Sequence, residues 1–439
     1  MNVLHLNANI DSKNLSFPHC QFHRLLAENG HCSMMVVSYG DVFEEGITIL
    51  EKGDRDPKRD LSLILRKLLF SYLIRNKHVH YFPEWNTRFT TVKSIIKAIS
   101  NKPDVIITYW TKYSFNQKLV YKLSKIYDAP VLSVLYDMGH LTGGCHFTFG
   151  CENYKDMCGK CPVLRSKCSH DLSRTTWNFK KKYIDKTNIS LLAGTEESLN
   201  EAKSSGLYRD HKVYKMLGSV DDAIFKPGNK ERIKKQLGLG KYKKIIFFGV
   251  ANIREPRKGF KYLVESLEIL KAKYNGEHYA KEDICLLIAG RKMDEVELPF
   301  DSKYLGYLET QEKLAEAFQC ADVFVSASIE EAGPMMVNIA MVAGVPVVAF
   351  DIGVAKDLVT NNETGHIAKL KDANDFAIGL ERILALNEME WTEVSNNCRK
   401  KGLELCSNET QYERLLTILE DVIFNYSQEK LHTSCGNSK

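Results

Sequence analysis

Apolar residues fall along this chain in short, nearly continuous runs, separated by longer stretches in which they recur every three or four positions. In the C-terminal half the runs are KKIIFFGV (243–250), ICLLIAG (284–290), ADVFVSAS (321–328) and VPVVAFD (345–351). Helical spacing appears in YLVESLEILKAKY (262–274), TQEKLAEAFQC (310–320) and PMMVNIAMVAG (334–344). Strands without polar alternation are buried on both faces, and their alternation with helices predicts a parallel sheet covered on each side. The N-terminal half repeats the pattern more loosely in MNVLHLN, SMMVVSYG, DVIITYW, APVLSVLYD and ISLLAG. The predicted fold class is α/β, with two doubly wound, Rossmann-like parallel-sheet domains facing a cleft. Ligands of such sheets sit outside the carboxyl ends of the strands. The predicted division is a first domain over 1–205 and a second over 206–409. The amphipathic stretch TQYERLLTILEDVIFNY (410–426) is expected to pack back on the first domain, and the polar tail 427–439 to fray.

Composition narrows the partners more than the fold. Of 439 residues, 44% are hydrophobic and 26% charged, as in an ordinary globular chain. A net charge of +5 is too weak to argue for nucleic acid and suits an anionic small ligand or an anionic membrane face. Met1-Asn2 leads straight into an apolar strand pattern rather than a secretory leader, and no run approaches the ~18 apolar residues of a spanning helix. The expectation is a cytoplasmic chain. The stretch LSLILRKLLFSYLIRNKHVHYF (61–82) interleaves Arg66, Lys67, Arg75 and Lys77 with apolar residues, so it reads as a candidate peripheral membrane contact or as a core helix with exposed basic residues. No G-x-G-x-x-G follows a strand, which sets aside a nicotinamide-dependent Rossmann enzyme.

Two loops carry the candidate chemistry. In SIEEAGPMMVNIAMVAGVPVVAF (328–350), Pro334 fits the first turn of a helix that Gly344 ends, so Glu330, Glu331 and Gly333 lie in the loop before it. Free N–H groups at such a helix start suit a phosphate. A carboxylate beside them suits the hydroxyls of a neutral moiety on the same ligand, as in a sugar linked to a diphosphate. The bland alternative is a solvated glutamate pair stabilised by the helix dipole. In ANIREPRKGFKYL (251–263), Arg254, Arg257 and Lys258 follow a strand, and Gly259 allows close approach as a helix begins. Cations so placed can clamp a diphosphate, or simply form a solvated basic turn.

Four cysteines, Cys145, Cys151, Cys158 and Cys161, are spaced C-x5-C-x6-C-x2-C, with Cys168 nearby. The C-x2-C end is the kind of knuckle that ligates zinc through two thiolates, and a structural zinc is the favoured reading; two disulfides or reduced thiols are the alternatives. Cys20, Cys32, Cys285, Cys320, Cys398 and Cys406 read as small core residues, and His78, His80 and His146 as satisfied histidines rather than ligands.

Almost the whole chain resembles the family 4 glycosyltransferases, the retaining group with the GT-B fold. SASIEEAGPMMVNIAMVAGVPVVAFDIG looks like the family's E-x7-E segment, PRKGF like its phosphate-binding loop, and KMLGSVDDAIFKP (215–227) like the segment opening its C-terminal domain. LYDMGHLTGGCHFTFGCENYKDMCGKCP (135–162) resembles a cysteine-bearing segment of the subgroup that builds bacterial exopolysaccharide, capsule or O-antigen. The resemblance implies sugar transfer with retention from a nucleotide-diphosphate donor to a glycan or polyprenyl-linked acceptor, with no cofactor required for catalysis. It places Glu331 at the donor-sugar hydroxyls and Lys258 at the diphosphate, with Arg254 or Arg257 beside it. Gly333, Pro334, Met335 and Met336 match the turn approaching sugar and phosphates. Asn338 joins the donor-side candidates, and Asp137 the catalytic ones with Glu331 and Lys258. Four positions depart from the pattern. The second glutamate, usually on the ribose, is Ile339; the histidine before Asp137 is Tyr136; the loop after the first strand, NANIDSKNLSFPHC (7–20), lacks glycine; and Asn-Gly is replaced by Gly218-Ser219. They motivate an alternative, a catalytically degenerate relative that binds a glycan or a partner.

Overall fold

The computed structural model describes residues 1–10, 18–42, 44–51, 65, 68, 72–75, 81, 90–109, 111, 114–273, 281–291, 297–333 and 335–436. Most of the 61–82 stretch, residues 11–17 and Pro334 lie outside this set. The chain divides into two compact units, Met1–Gly194 with Ser198–Met216 and Tyr412–Lys439, and Thr195–Glu197 with Leu217–Gln411.

Among the described residues the first unit is built on seven strands: β1 (Asn2–Ile10), β2 (Cys32–Gly40), β3 (Ile47–Glu51), β4 (Val105–Thr108), β5 (Val131–Leu135), β6 (Ile189–Ala193) and β7 (Val213–Lys215). They pair in the order β3-β2-β1-β4-β5-β6-β7, every pair parallel. Because β7 pairs with β6, the first unit runs on to Met216 rather than stopping at 205, where the sequence suggested the boundary.

Successive residues of each strand serve opposite faces. Leu4, Leu6, Ile106 and Val131 pack on one side, and Val3, Val105, Ile107 and Leu132 on the other. The second face is covered by the C-terminal helix Asn408–Gly436, through Leu415, Ile418, Leu419 and Val422. Each of these four is at most 8% exposed, and burying a side chain of this size contributes about 1.5–3 kcal/mol before entropy is counted. The helix continues through Gly436, where a frayed tail was expected after 426, and beyond Tyr426 its Glu429 accepts from Asn188 Nδ2 at 2.7 Å and its Lys430 pairs with Asp128.

The second unit carries β8 (Lys244–Asn252), β9 (Ile284–Arg291), β10 (Asp301–Gly306), β11 (Val323–Ser326), β12 (Val347–Phe350) and β13 (Gly365–Ala368). Their order is β10-β9-β8-β11-β12-β13, again all parallel. Ile245, Phe247 and Val347 face one apolar layer; Ile246, Phe248 and Val348 face the other. The strand order changes direction where β8 meets β11, so the loops leaving these two neighbouring strands emerge side by side. Among the described residues no helix is long and apolar enough to cross a membrane.

Candidate functional site

The loop leaving β8 begins with Asn252, whose side-chain oxygen accepts the Arg254 N–H at 3.1 Å. A single 3-10 turn, Pro256–Lys258, follows, and Gly259 closes it with φ +67° before the helix Phe260–Lys273. Glycine is required there on two counts. The backbone is left-handed, and a Cβ would lie 1.7 Å from the carbonyl oxygen of Ala327. Ala327 belongs to the loop leaving β11. Across this close approach Ile329 N–H donates to the Arg257 carbonyl at 2.7 Å. The two loops are thus stitched through their backbones, and their side chains meet.

Arg257 Nη1 lies 2.9 Å from Glu331 Oε2, and Lys258 Nζ bonds the same oxygen. Arg257 Nη2 also pairs with Glu255 at 2.7 Å. The side chains of Arg257, Lys258 and Glu331 are only 16%, 17% and 12% exposed, which gives their charges weight that a surface pair would lack. Burial pushes the Glu331 carboxyl up, but the charges of Lys258 and Arg257 and their hydrogen bonds push it further down, so it sits below its ordinary value. Arg254, the competing arginine, is exposed, whereas Arg257 and Lys258 are the cations bonded to Glu331. Glu255 was not singled out in the sequence. Its two-residue spacing from Arg257 gave no signal without the 3-10 turn that brings both side chains round.

Beyond Glu331 the chain passes half-buried Gly333, where an added Cβ would touch Thr195 at 3.4 Å, and enters the helix Met335–Val342. Pro334 itself falls outside the described residues. Met335 and Met336 pack against the core; Met335 Sδ sits where a side chain on Gly218 would be, and Met336 Cε where one on Gly249 would be. Asn338 is 1% exposed, and its Nδ2 donates to the Gly218 carbonyl at 3.0 Å and towards Cys406 Sγ at 3.5 Å. That amide ties the helix to the segment opening the second unit. Ile339 is 6% exposed within the apolar core.

In the first unit Asp137 follows β5. Its carboxylate accepts the Gly139 N–H at 2.7 Å and meets His146 Nδ1 at 2.5 Å. Burial raises its pKa, but His146, the Gly139 amide and the charge of His140 together hold it below the ordinary range. His140 Nε2 bonds the Tyr109 carbonyl oxygen at 3.1 Å. Tyr136 stacks on Tyr109 at 6.0 Å between centroids, and Tyr109 on His5 at 5.7 Å. A buried aromatic column thus occupies the place where the family pattern has a histidine. The sequence read His146 as a satisfied histidine; eight residues of irregular loop separate it from Asp137, and no periodicity could pair them. Cys20, Cys285, Cys320, Cys398 and Cys406 are buried, as small core residues should be, and Cys32 is half-buried.

Comparison with known proteins assigns this geometry to a class. Residues 229–404, which lie within the second unit, match the family model of the group 1 glycosyl transferases. The chain is 21% identical over 376 residues to the putative colanic acid biosynthesis glycosyl transferase WcaC of Escherichia coli, covering 82% of this chain and 85% of that one. A shorter stretch of 151 residues is 32% identical to the phosphatidyl-myo-inositol mannosyltransferase of Mycobacterium leprae, 32% of this chain and 37% of that protein. HepE of Anabaena, solved in complex with UDP and glucose, superposes with a TM-score of 0.63 at 12% identity, covering 96% of this chain and all of that one. At that identity the likeness is one of fold, and the fold is GT-B.

Proposed function

We propose that this protein is a retaining, nucleotide-sugar-dependent glycosyltransferase of family 4. It moves a sugar from a nucleotide-diphosphate donor to a glycan or polyprenyl-linked acceptor in bacterial surface polysaccharide biosynthesis. The observation that carries this reading is the meeting of Arg257, Lys258 and Glu331 at the carboxyl ends of two adjacent strands of the second unit. Arg257 and Lys258 hold the donor diphosphate and balance the charge that grows on it as the glycosidic bond breaks. Amides at the start of the helix Met335–Val342 add to that balance. Glu331, kept ionised by both cations, accepts hydrogen bonds from the sugar hydroxyls and fixes the sugar relative to its leaving group. The departing phosphate can take the acceptor's proton, so the route needs no strong protein base. Asp137, held by His146 and the Gly139 amide, is assigned to the acceptor side. The relationships to WcaC and to a phosphatidylinositol mannosyltransferase support the acceptor class, and the UDP in HepE makes uridine donors the first to test.

One observation favours a second reading, a relative that binds without turnover. Ile339 packs into the core where a ribose-holding carboxylate would be expected. Incubating the protein with a panel of nucleotide sugars separates the two. Released nucleoside diphosphate that disappears in Glu331→Ala and Lys258→Ala supports the transferase. No release from any donor, with or without lipid-linked glycans, supports the binding protein.

A further inference from the structure

The loop between Met138 and Asp171 gathers all four closely spaced cysteines around a single small cavity. Cys145, Cys151, Cys158 and Cys161 all line it, and its volume of about 20 Å³ leaves room for one atom-sized guest. Backbone amides are aimed at the sulfurs. Gly143 N–H donates to Cys158 Sγ at 3.2 Å, the Asn153 amide to Cys151, and the Val163 and Leu164 amides to Cys161. In Cys151–Asn153 and Cys161–Val163 the donor lies two residues beyond the cysteine. Amides so placed stabilise a charged sulfur and fix its direction, which is what a metal thiolate asks of its surroundings.

The turn joining Cys158 to Cys161 is locked from outside. Gly159 has φ +151° and Lys160 φ +47°, the latter unusual for a side chain larger than asparagine. A Cβ on Gly159 would lie 2.4 Å from the Ser169 carbonyl oxygen. Asp171 accepts the Cys161 N–H at 2.7 Å, and Arg174 Nε donates to the Cys158 carbonyl. Positive charge is also at hand. Lys180, 1% exposed, donates Nζ to the carbonyls of Gly139 and Thr142 and faces Cys158. A divalent cation held by four thiolates carries a net charge of −2, and a buried ammonium beside it offsets half of that.

As placed, Cys145 and Cys161 hydrogen-bond each other, and among the described residues no three His, Cys, Asp or Glu side chains stand ready around one point. A rotamer change at χ1 redirects a cysteine sulfur without moving its backbone. We propose that these four cysteines close on one thiophilic divalent cation, with zinc the best match to an all-thiolate tetrahedral set. The cation is structural. It staples the loop that begins at Asp137 and carries His146, and it takes no part in sugar transfer.

The test is metal analysis of the full-length protein purified under reduction, followed by titration of the stripped protein with zinc and then cobalt(II). We expect one zinc per chain, one cobalt on replacement, and a sulfur-to-cobalt charge-transfer band in the near ultraviolet. Cys158→Ser with Cys161→Ser abolishes the band, whereas Cys285→Ser, in the second unit, leaves it intact. Should the double variant fail to fold, the stoichiometry and the cobalt spectrum of the unaltered protein decide alone. Stripped protein that binds neither metal while its four thiols titrate as free overturns the proposal. A Cys145–Cys161 disulfide in metal-free protein as isolated does so too. Neither measurement depends on donor binding.

Discussion

Replacing Glu331 by glutamine removes a negative charge shared by Arg257 and Lys258 while leaving the size of the side chain unchanged. Both cations are more than four-fifths buried, so the loss is not screened as it would be at a surface. Each hydrogen bond to a charged group contributes about 1.5–3 kcal/mol. The amide oxygen of glutamine keeps part of this, and Arg257 retains Glu255 at 2.7 Å, so the net cost should be about 2–3 kcal/mol of local stability. The two loops are also joined by Ile329 N–H to the Arg257 carbonyl, so amide exchange there reads the opening directly. Peptides covering 253–263 and 323–333 should exchange roughly 30- to 150-fold faster in Glu331→Gln at pH 7, while the β1–β4 region is unchanged. The pH dependence has a definite sign. The folded carboxyl lies below its unfolded value of 4.5, so its contribution is fully present above pH 4.5 and fades as the carboxyl protonates below it. The difference between the two proteins should therefore shrink at lower pH, compared at matched conditions. Equal exchange at pH 7, or a gap that does not narrow on acidification, would refute a charge cluster at this site.

Two further substitutions probe the frame around it. Gly259→Ala combines a left-handed backbone with a Cβ 1.7 Å from the Ala327 carbonyl, and should cost about 3 kcal/mol or more and separate the two loops; chemical denaturation of the second-unit transition would measure it. Ile339→Glu, which restores the carboxylate of the family pattern, buries a charge in an apolar core. It should lower stability by several kcal/mol without improving nucleotide affinity, and a stable variant with tighter binding would show that this position faces ligand.

How far the sequence foretold this architecture depends on where each strand sits. All nine apolar runs read as strands correspond to β1, β2, β4, β5, β6, β8, β9, β11 and β12. The four strands it did not flag, β3, β7, β10 and β13, are the four edges of the two sheets. An edge strand is covered by a neighbour on one side only, so its sequence need not be continuously apolar; DSKYLG of β10, exposed at Asp301 and Ser302 and half-buried after them, reads as a loop. The loop chemistry was legible where a glycine forced it, as at Gly259, and where cations and a carboxylate stood at strand ends. Whether Arg254 or Arg257 faces Glu331 was not, because the Pro256–Lys258 turn decides it and one turn has no periodicity to read. Asn338 was grouped with the donor residues by its neighbours in sequence, whereas its amide bonds the Gly218 carbonyl, a partner 120 residues away. Asp137 and His146 meet for the same kind of reason, a fold of irregular chain that leaves no pattern of its own.

Arg257 and Lys258 are proposed to form the diphosphate site of a sugar donor. Calorimetric titration of the protein with uridine, guanosine and adenosine diphosphates tests it most directly. At least one of them should bind, with affinity weakened roughly 10- to 100-fold by Lys258→Ala and similarly by Arg257→Ala, and little changed by Arg254→Ala. Binding that is indifferent to Lys258 and Arg257, or no binding of any nucleotide at millimolar concentration, would contradict it.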